Sequence, residues 1–234
     1  MRKKSKRYKA AVGLVAKGKS YSVAEAIEII KKMPPVKFDE TLEVNGSLGI
    51  DPKQTDQAVR GSVVLPNGTG KTIKIVVFCE SDKENDAKSA GADFVGGQDL
   101  VDKIIGENWT DFDYCIATPS MMRVVSKLGK MLGPRGLMPS PKNGTVTENI
   151  AYAIKEAKRG KVDFRMDKQS CIHVGVGKLS FTKEQLVGNV GAFIEALLAA
   201  RPSGLKGDYI KGLYLASTMG PALRIAVQQA VSTE

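Results

Sequence analysis

The stretch GTGKTIKIVVFCESDKENDAKSAGADFVGG (68–97) changes its hydrophobic period twice. TIKIVVFC (72–79) is a β-branched apolar run without alternation, as a strand covered on both faces requires. Asp82 to Ser89 reads as a helix, and DFVG (93–96) is a second, shorter strand. Further along, DFDYCIAT (111–118) holds a third strand, and helices are expected over Gln98–Ile105, Pro119–Leu128 and Glu148–Arg159, the last stopped by Gly160. Strands alternating with helices predict a parallel sheet with both faces covered, a Rossmann-like α/β domain over residues 68–159.

GTGKT (68–72) looks like the end of a phosphate-binding loop. The full pattern needs a glycine five residues before Gly70, where Leu65 stands, and a helix after the lysine, where IKIVVF reads as a strand. The turn after VVFC is ESDKEND, whose acid excess and lack of glycine repel a pyrophosphate. An inter-domain turn is the better reading of 68–72, and a nucleotide-binding enzyme built on the inserted domain is the weaker alternative.

The flanks follow another pattern. TLEVNGSLGI (41–50), VDFRM (162–166) and CIHVGV (171–176) alternate apolar and polar positions, as half-buried antiparallel strands do. The link MDKQS suits a hairpin between the last two. Ser22 with Glu25 and Thr182 with Gln185 are capping-box pairs, the second opening a helix that shows Leu186, Val190, Phe193 and Leu197 on one face. YIKGLYLAST and ALRIAV form a final strand pair around MGP. Neither flank has enough strands for its own core, so residues 1–67 and 160–234 are expected to make one discontinuous α+β domain, with two Gly- and Lys-rich crossings as a hinge.

The net charge is +10, and residues 1–67 carry 13 basic against 7 acidic side chains, which suits a polyanionic partner. The stretch MRKKSKRYK is equally consistent with a solvated tail that meets phosphate without specificity. Cys79, Cys115 and Cys171 lie far apart in apolar runs and read as reduced core residues, without disulfide or metal-ligand spacing. His173 is the single histidine and reads as a structural or surface residue, so catalytic triads and zinc centres lack raw material. No membrane span or secretory signal is visible. Neither a reaction nor a cofactor is expected.

Two stretches remain. SKLGKMLGPRGLMPSPKNG (126–144) carries Lys127, Lys130, Arg135 and Lys142 uninterrupted by acids, with Leu128, Met131, Leu132, Leu137 and Met138 to anchor it. It reads as a stiffened loop that turns toward an RNA backbone. KFDET (37–41) sets Lys37 beside Phe38, and STMGP (217–221) places two hydroxyls, Met219 and Gly220 at a turn. Such groups can meet phosphate, sugar and base, although burial statistics favour Phe38 in the core.

KFDETLEV, LGIDP, DQAVRG, LPNGTGK, GADFVGG, LGKMLGPRGLMPSPKNGTV and STMGP, in this order and spacing, resemble the bacterial ribosomal proteins of the L-one family over nearly the whole chain. The resemblance implies a non-catalytic protein, monomeric when free, whose outer domain binds the mobile-stalk helix of large-subunit rRNA. It also implies movement and release of deacylated exit-site tRNA, repression through the protein's own operon mRNA, and a ribosome in the cytoplasm or a bacterial-type organelle. The family's rRNA surface maps onto Lys37, Phe38 and Thr41, onto Arg165, Asp167 and Lys168, and onto Ser217, Thr218, Met219 and Gly220. The chain departs at Met166, where the family commonly carries asparagine.

Overall fold

The computed structural model describes residues 4–16, 18–52, 59–202, 205 and 207–226. In chain order, helices α1 (Lys6–Gly13) and α2 (Val23–Lys31) precede strands β1 (Thr41–Leu48) and β2 (Arg60–Val64). There follow β3 (Ile75–Phe78), α3 (Glu84–Ser89), β4 (Phe94–Gly96), α4 (Gln98–Glu107), β5 (Tyr114–Ala117), α5 (Met122–Val125), α6 (Gly129–Leu132) and α7 (Ile150–Gly160). The chain closes with β6 (Lys161–Arg165), β7 (Cys171–Lys178), α8 (Lys183–Ala199), β8 (Ile210–Ser217) and β9 (Leu223–Ile225). Contacts divide it into two compact units, an outer one of Met1–Gly70 with Val162–Glu234 and a second one of Lys71–Lys161. The whole is mixed α/β.

In the second unit β4, β3 and β5 lie side by side and parallel. Val76 and Phe78 enter one apolar cluster with Val101 and Leu128, while Ile75 and Val77 enter another with Ile154 and Ala157. Both faces of β3 are therefore covered, which explains its unbroken apolar run. The helix expected over Pro119–Leu128 starts later, at Met122, and continues through a 3-10 turn at Ser126–Leu128 into α6. Leu128 and Leu132, one turn apart, are both fully buried, and that packing outweighs the cost of about 1 kcal/mol for Gly129 inside a helix.

In the outer unit β7, β1, β8 and β9 form an antiparallel sheet in that order. β1 alternates strictly, with Leu42, Val44 and Leu48 facing the core beneath α2 and α8. Both capping boxes are formed. Ser22 accepts from the Glu25 amide and Thr182 from the Gln185 amide, with the Glu25 and Gln185 side chains returning to the cap amides.

Two expectations need correction. β6 and β7 are not a hairpin pair: β6 joins β2 in a separate two-stranded ribbon. The Met166 amide donates to Val59 O (3.0 Å), and Ser170 at φ 62° turns the chain sharply, so β7 departs toward β1. Phe164 of the ribbon then meets Phe193 of α8 edge-on, ring centroids 5.7 Å apart. Nor are all three cysteines core residues. Cys79 and Cys115 are buried, and burial pushes the Cys115 thiol up, but Cys171 is half-buried. It occupies the side of β7 that alternates away from Ile172 and Val174.

Candidate nucleic-acid interface

The antiparallel register collects two of the three predicted segments at one end of the sheet. Thr41 lies opposite Lys178 on β7, and Leu42 opposite Ser217 on β8. The Thr41 amide donates to Thr218 Oγ1 (3.0 Å), the Thr218 amide to Thr41 O (3.1 Å), and the Gly220 amide to Ser217 O (3.1 Å). Lys178 Nζ donates to Thr41 Oγ1 (2.9 Å) and to Asp39 O (3.2 Å). A Cβ on Gly220 would crowd the Ser217 hydroxyl and stand 3.3 Å from Met33 Sδ, so any other residue there must displace that hydroxyl.

On this rigid frame Phe38 is 53% and Met219 51% exposed, flanked by exposed Lys37 and Thr218. The core placement of Phe38 favoured by burial statistics is thus not adopted. Ser217, in contrast, is buried: β8 alternates so that Leu213, Leu215 and Ser217 all turn inward, which leaves its hydroxyl against Gly220. Large apolar groups held open beside cations and a hydroxyl can stack on a base or ribose while phosphates are neutralised.

Arg165, Asp167 and Lys168 are not part of this cluster. Asp167 Oδ1 accepts from the Cys171 amide (2.7 Å) and the Gln169 amide (2.8 Å), and Cys171 lies opposite Ser47, at the far end of β1. At about 3.4 Å per residue this end is roughly 20 Å from Thr41. The Cys171 bond, joined by that of Gln169, holds the Asp167 carboxyl below the usual aspartate range. Arg165 and Lys168 are exposed and, with Arg60, Pro52, Val59 and Asp167, line an open groove of about 440 Å³. Between the two ends, Asn45, His173, Tyr214 and Arg224 alternate away from the core on β1, β7, β8 and β9. His173 Nδ1 lies 2.6 Å from Asn45 Oδ1, a surface setting.

In the second unit, Leu128 and Leu132 of the basic loop are core residues, and Met131, Leu137 and Met138 pack against that core. Lys127, Lys130 and Arg135 are exposed, with the Arg135 guanidinium bonded to Thr110 Oγ1. The Lys142 side chain lies outside the described residues. Lys71 leads into β3 with no helix after it, and Gly70 (φ 73°) makes the 68–72 stretch a turn. Among the described residues no group of His, Cys, Asp and Glu could hold a metal, and no helix is long and apolar enough to cross a membrane.

Sequence reasoning missed Arg7, Lys178 and Arg60. Lys178 ends an alternating strand whose partner cannot be read locally, and Arg60 opens a strand hidden inside DQAVRG. Arg7 was submerged in a run of other cations, where no signal separates it.

The model of the ribosomal protein L1p/L10e family matches residues 29–221. The chain is 52% identical over 230 residues to large ribosomal subunit protein uL1 of Persephonella marina, covering 97% of this chain and 95% of that protein. It is 52% identical over 229 residues to the protein of that name from Protochlamydia amoebophila, covering 98% and 97%. The corresponding figures for the protein from Solibacter usitatus are 54% over 224 residues, 96% and 94%.

Proposed function

The chain belongs to the ribosomal protein L1p/L10e family, and from that premise we propose that its outer unit binds the mobile-stalk helix of large-subunit rRNA. The protein is a structural constituent of the large ribosomal subunit and not an enzyme. The observation that carries the rRNA reading is the pair of half-exposed apolar side chains, Phe38 and Met219, held open beside Lys37 and Thr218. What sets them apart from other exposed apolar side chains is their grouping with a cation and a hydroxyl at one end of the sheet, where a base or ribose can stack beside a neutralised phosphate.

The RNA-binding domain is the discontinuous α+β one, residues 1–67 with 160–234, and a Rossmann-like domain is inserted over 68–159. The rRNA track runs from Lys37, Phe38, Thr41, Thr218, Met219 and Gly220 along the uncovered sheet face to Arg165 and Lys168. Ser217 and Asp167 serve it by shaping their turns. The same surface takes a similar structure in the protein's own operon mRNA, so free protein represses its own translation. On the ribosome, Lys127, Lys130 and Arg135 engage exit-site tRNA and assist its movement and release.

Full-length protein titrated with a stalk-helix RNA and with an unrelated RNA of equal length, across a salt series, tests the rRNA reading. The expected result is a preference for the stalk RNA that survives moderate salt. Equal binding to both RNAs, lost steeply with salt, would mean that the basic segment alone drives association. For the loop, ribosomes carrying Lys127→Ala, Lys130→Ala and Arg135→Ala together should hold exit-site tRNA more weakly with subunit assembly intact. Unchanged tRNA occupancy would remove the loop from this role.

A further inference from the structure

The basic N-terminal segment, capped by Ser5, is helical from Lys6 to Gly13 and sets one side chain against the turn proposed to meet rRNA. Arg7 Nη2 donates to the Met219 carbonyl at 2.7 Å, and Arg7 Nη1 stands 3.9 Å from Glu40 Oε1. Glu40 is only 6% exposed, and among the described residues its Oε1 has no hydrogen-bond partner. A carboxylate oxygen removed from water in this way depends on the nearby guanidinium for compensation. The Glu40 backbone is fixed as well, because its carbonyl accepts from the Leu179 amide (2.9 Å) and the next residue is Thr41. One guanidinium thus ties α1 to both segments at this end of the sheet.

Resting on the rRNA reading above, we propose that Arg7 is a positioning residue for RNA recognition. It holds the Met219–Gly220 turn in register with Phe38–Thr41 and uses Glu40 as its anchor, without itself taking a phosphate. Arginine suits this task because its planar fork addresses two acceptors in fixed directions, which a lysine ammonium does not. The competing assignment is a direct phosphate contact, as the surrounding cations suggest. The two differ in sign and in salt dependence.

The test uses full-length protein carrying Arg7→Ala, Arg7→Lys, Glu40→Gln or Arg7→Ala with Glu40→Gln. Affinity for the stalk-helix RNA is measured across a salt series, with thermal melts of each variant. Arg7→Ala should bind about tenfold more weakly with an unchanged salt slope, since a charge-assisted bond is lost but no phosphate contact. Arg7→Lys should not restore binding. Glu40→Gln should also weaken it, although removing an acid beside RNA raises affinity on electrostatic grounds alone, and the double variant should be no worse than the worse single one.

A salt slope reduced by about one in Arg7→Ala, with binding restored by lysine, would overturn the proposal in favour of a phosphate contact. Tighter binding by Glu40→Gln would overturn the anchor. If wild-type protein shows no preference for the stalk RNA, the rRNA reading itself fails. The hold of Arg7 on the turn is then decided by hydrogen exchange of the Gly220 amide below the melting range: faster in Arg7→Ala if Arg7 holds the turn, unchanged if it does not.

Discussion

Replacing Phe193 by alanine should destabilise the outer unit by about 4 kcal/mol. The ring is 1% exposed and packs edge-on against Phe164, so its removal opens a cavity between α8 and the β2–β6 ribbon. The cavity cannot close by a shift of α8. Buried Asn189, on the same helix, donates through Nδ2 to Gly68 O (2.9 Å) and Val176 O (2.7 Å) and accepts the Asn67 amide (3.0 Å), pinning the helix to the chain on either side. A loss of this size is a large part of an ordinary domain's stability. Trp109, the chain's one tryptophan, belongs to the second unit, where it packs against Phe94 and Phe112. Urea unfolding followed by tryptophan fluorescence should therefore keep its midpoint in Phe193→Ala, while the circular-dichroism transition gains an earlier step. Coincident shifts by both probes would show that the two units unfold as one cooperative body and would overturn their energetic independence.

Replacing Phe38 and Met219 together by alanine should lower affinity for the stalk RNA about 100-fold without moving the melting temperature. Stacking on an aromatic is worth about 1–3 kcal/mol per base, and 1.4 kcal/mol is a factor of ten. Both side chains are half exposed, so the folded state forfeits little packing when they are truncated. Phe38→Tyr keeps a stacking face and should bind nearly as the parent does. An equal loss on unrelated RNA would assign these residues to non-specific association, and no loss on either RNA would remove them from the interface.

Local signals read well in this chain. Each capping box lies within a four-residue span, and a helix start is decided by the few amides around it, so Ser22 with Glu25 and Thr182 with Gln185 were legible. β3 was legible because burial on both faces leaves no polar position in the run. β2 was not. Its five residues contain Arg60, Gly61 and Ser62 and become a strand only because β6 supplies the partner edge. The same dependence undid the expected β6–β7 hairpin: a short polar link shows that the chain turns, but not which edge receives it.

At the candidate site, motif and residue chemistry brought forward Phe38 and Met219, but exposure had to be observed. Phe38 stays outside because Lys37 to Asp39 precede β1 and lie outside its alternation, whereas Ser217 is taken inward by the alternation of β8. The sequence alone determined the mixed α/β class, the two helix caps, the doubly covered β3 and the basic character of the N-terminal and 126–144 stretches, since each depends on neighbours along the chain or on composition. Only the tertiary structure decided which strands pair, that Arg165 and Lys168 lie a sheet's length from Thr218, that Asn189 is a buried tether, and that one arginine among many closes on Met219 and Glu40. These depend on contacts between residues far apart in sequence, whose geometry comes into being when the core closes.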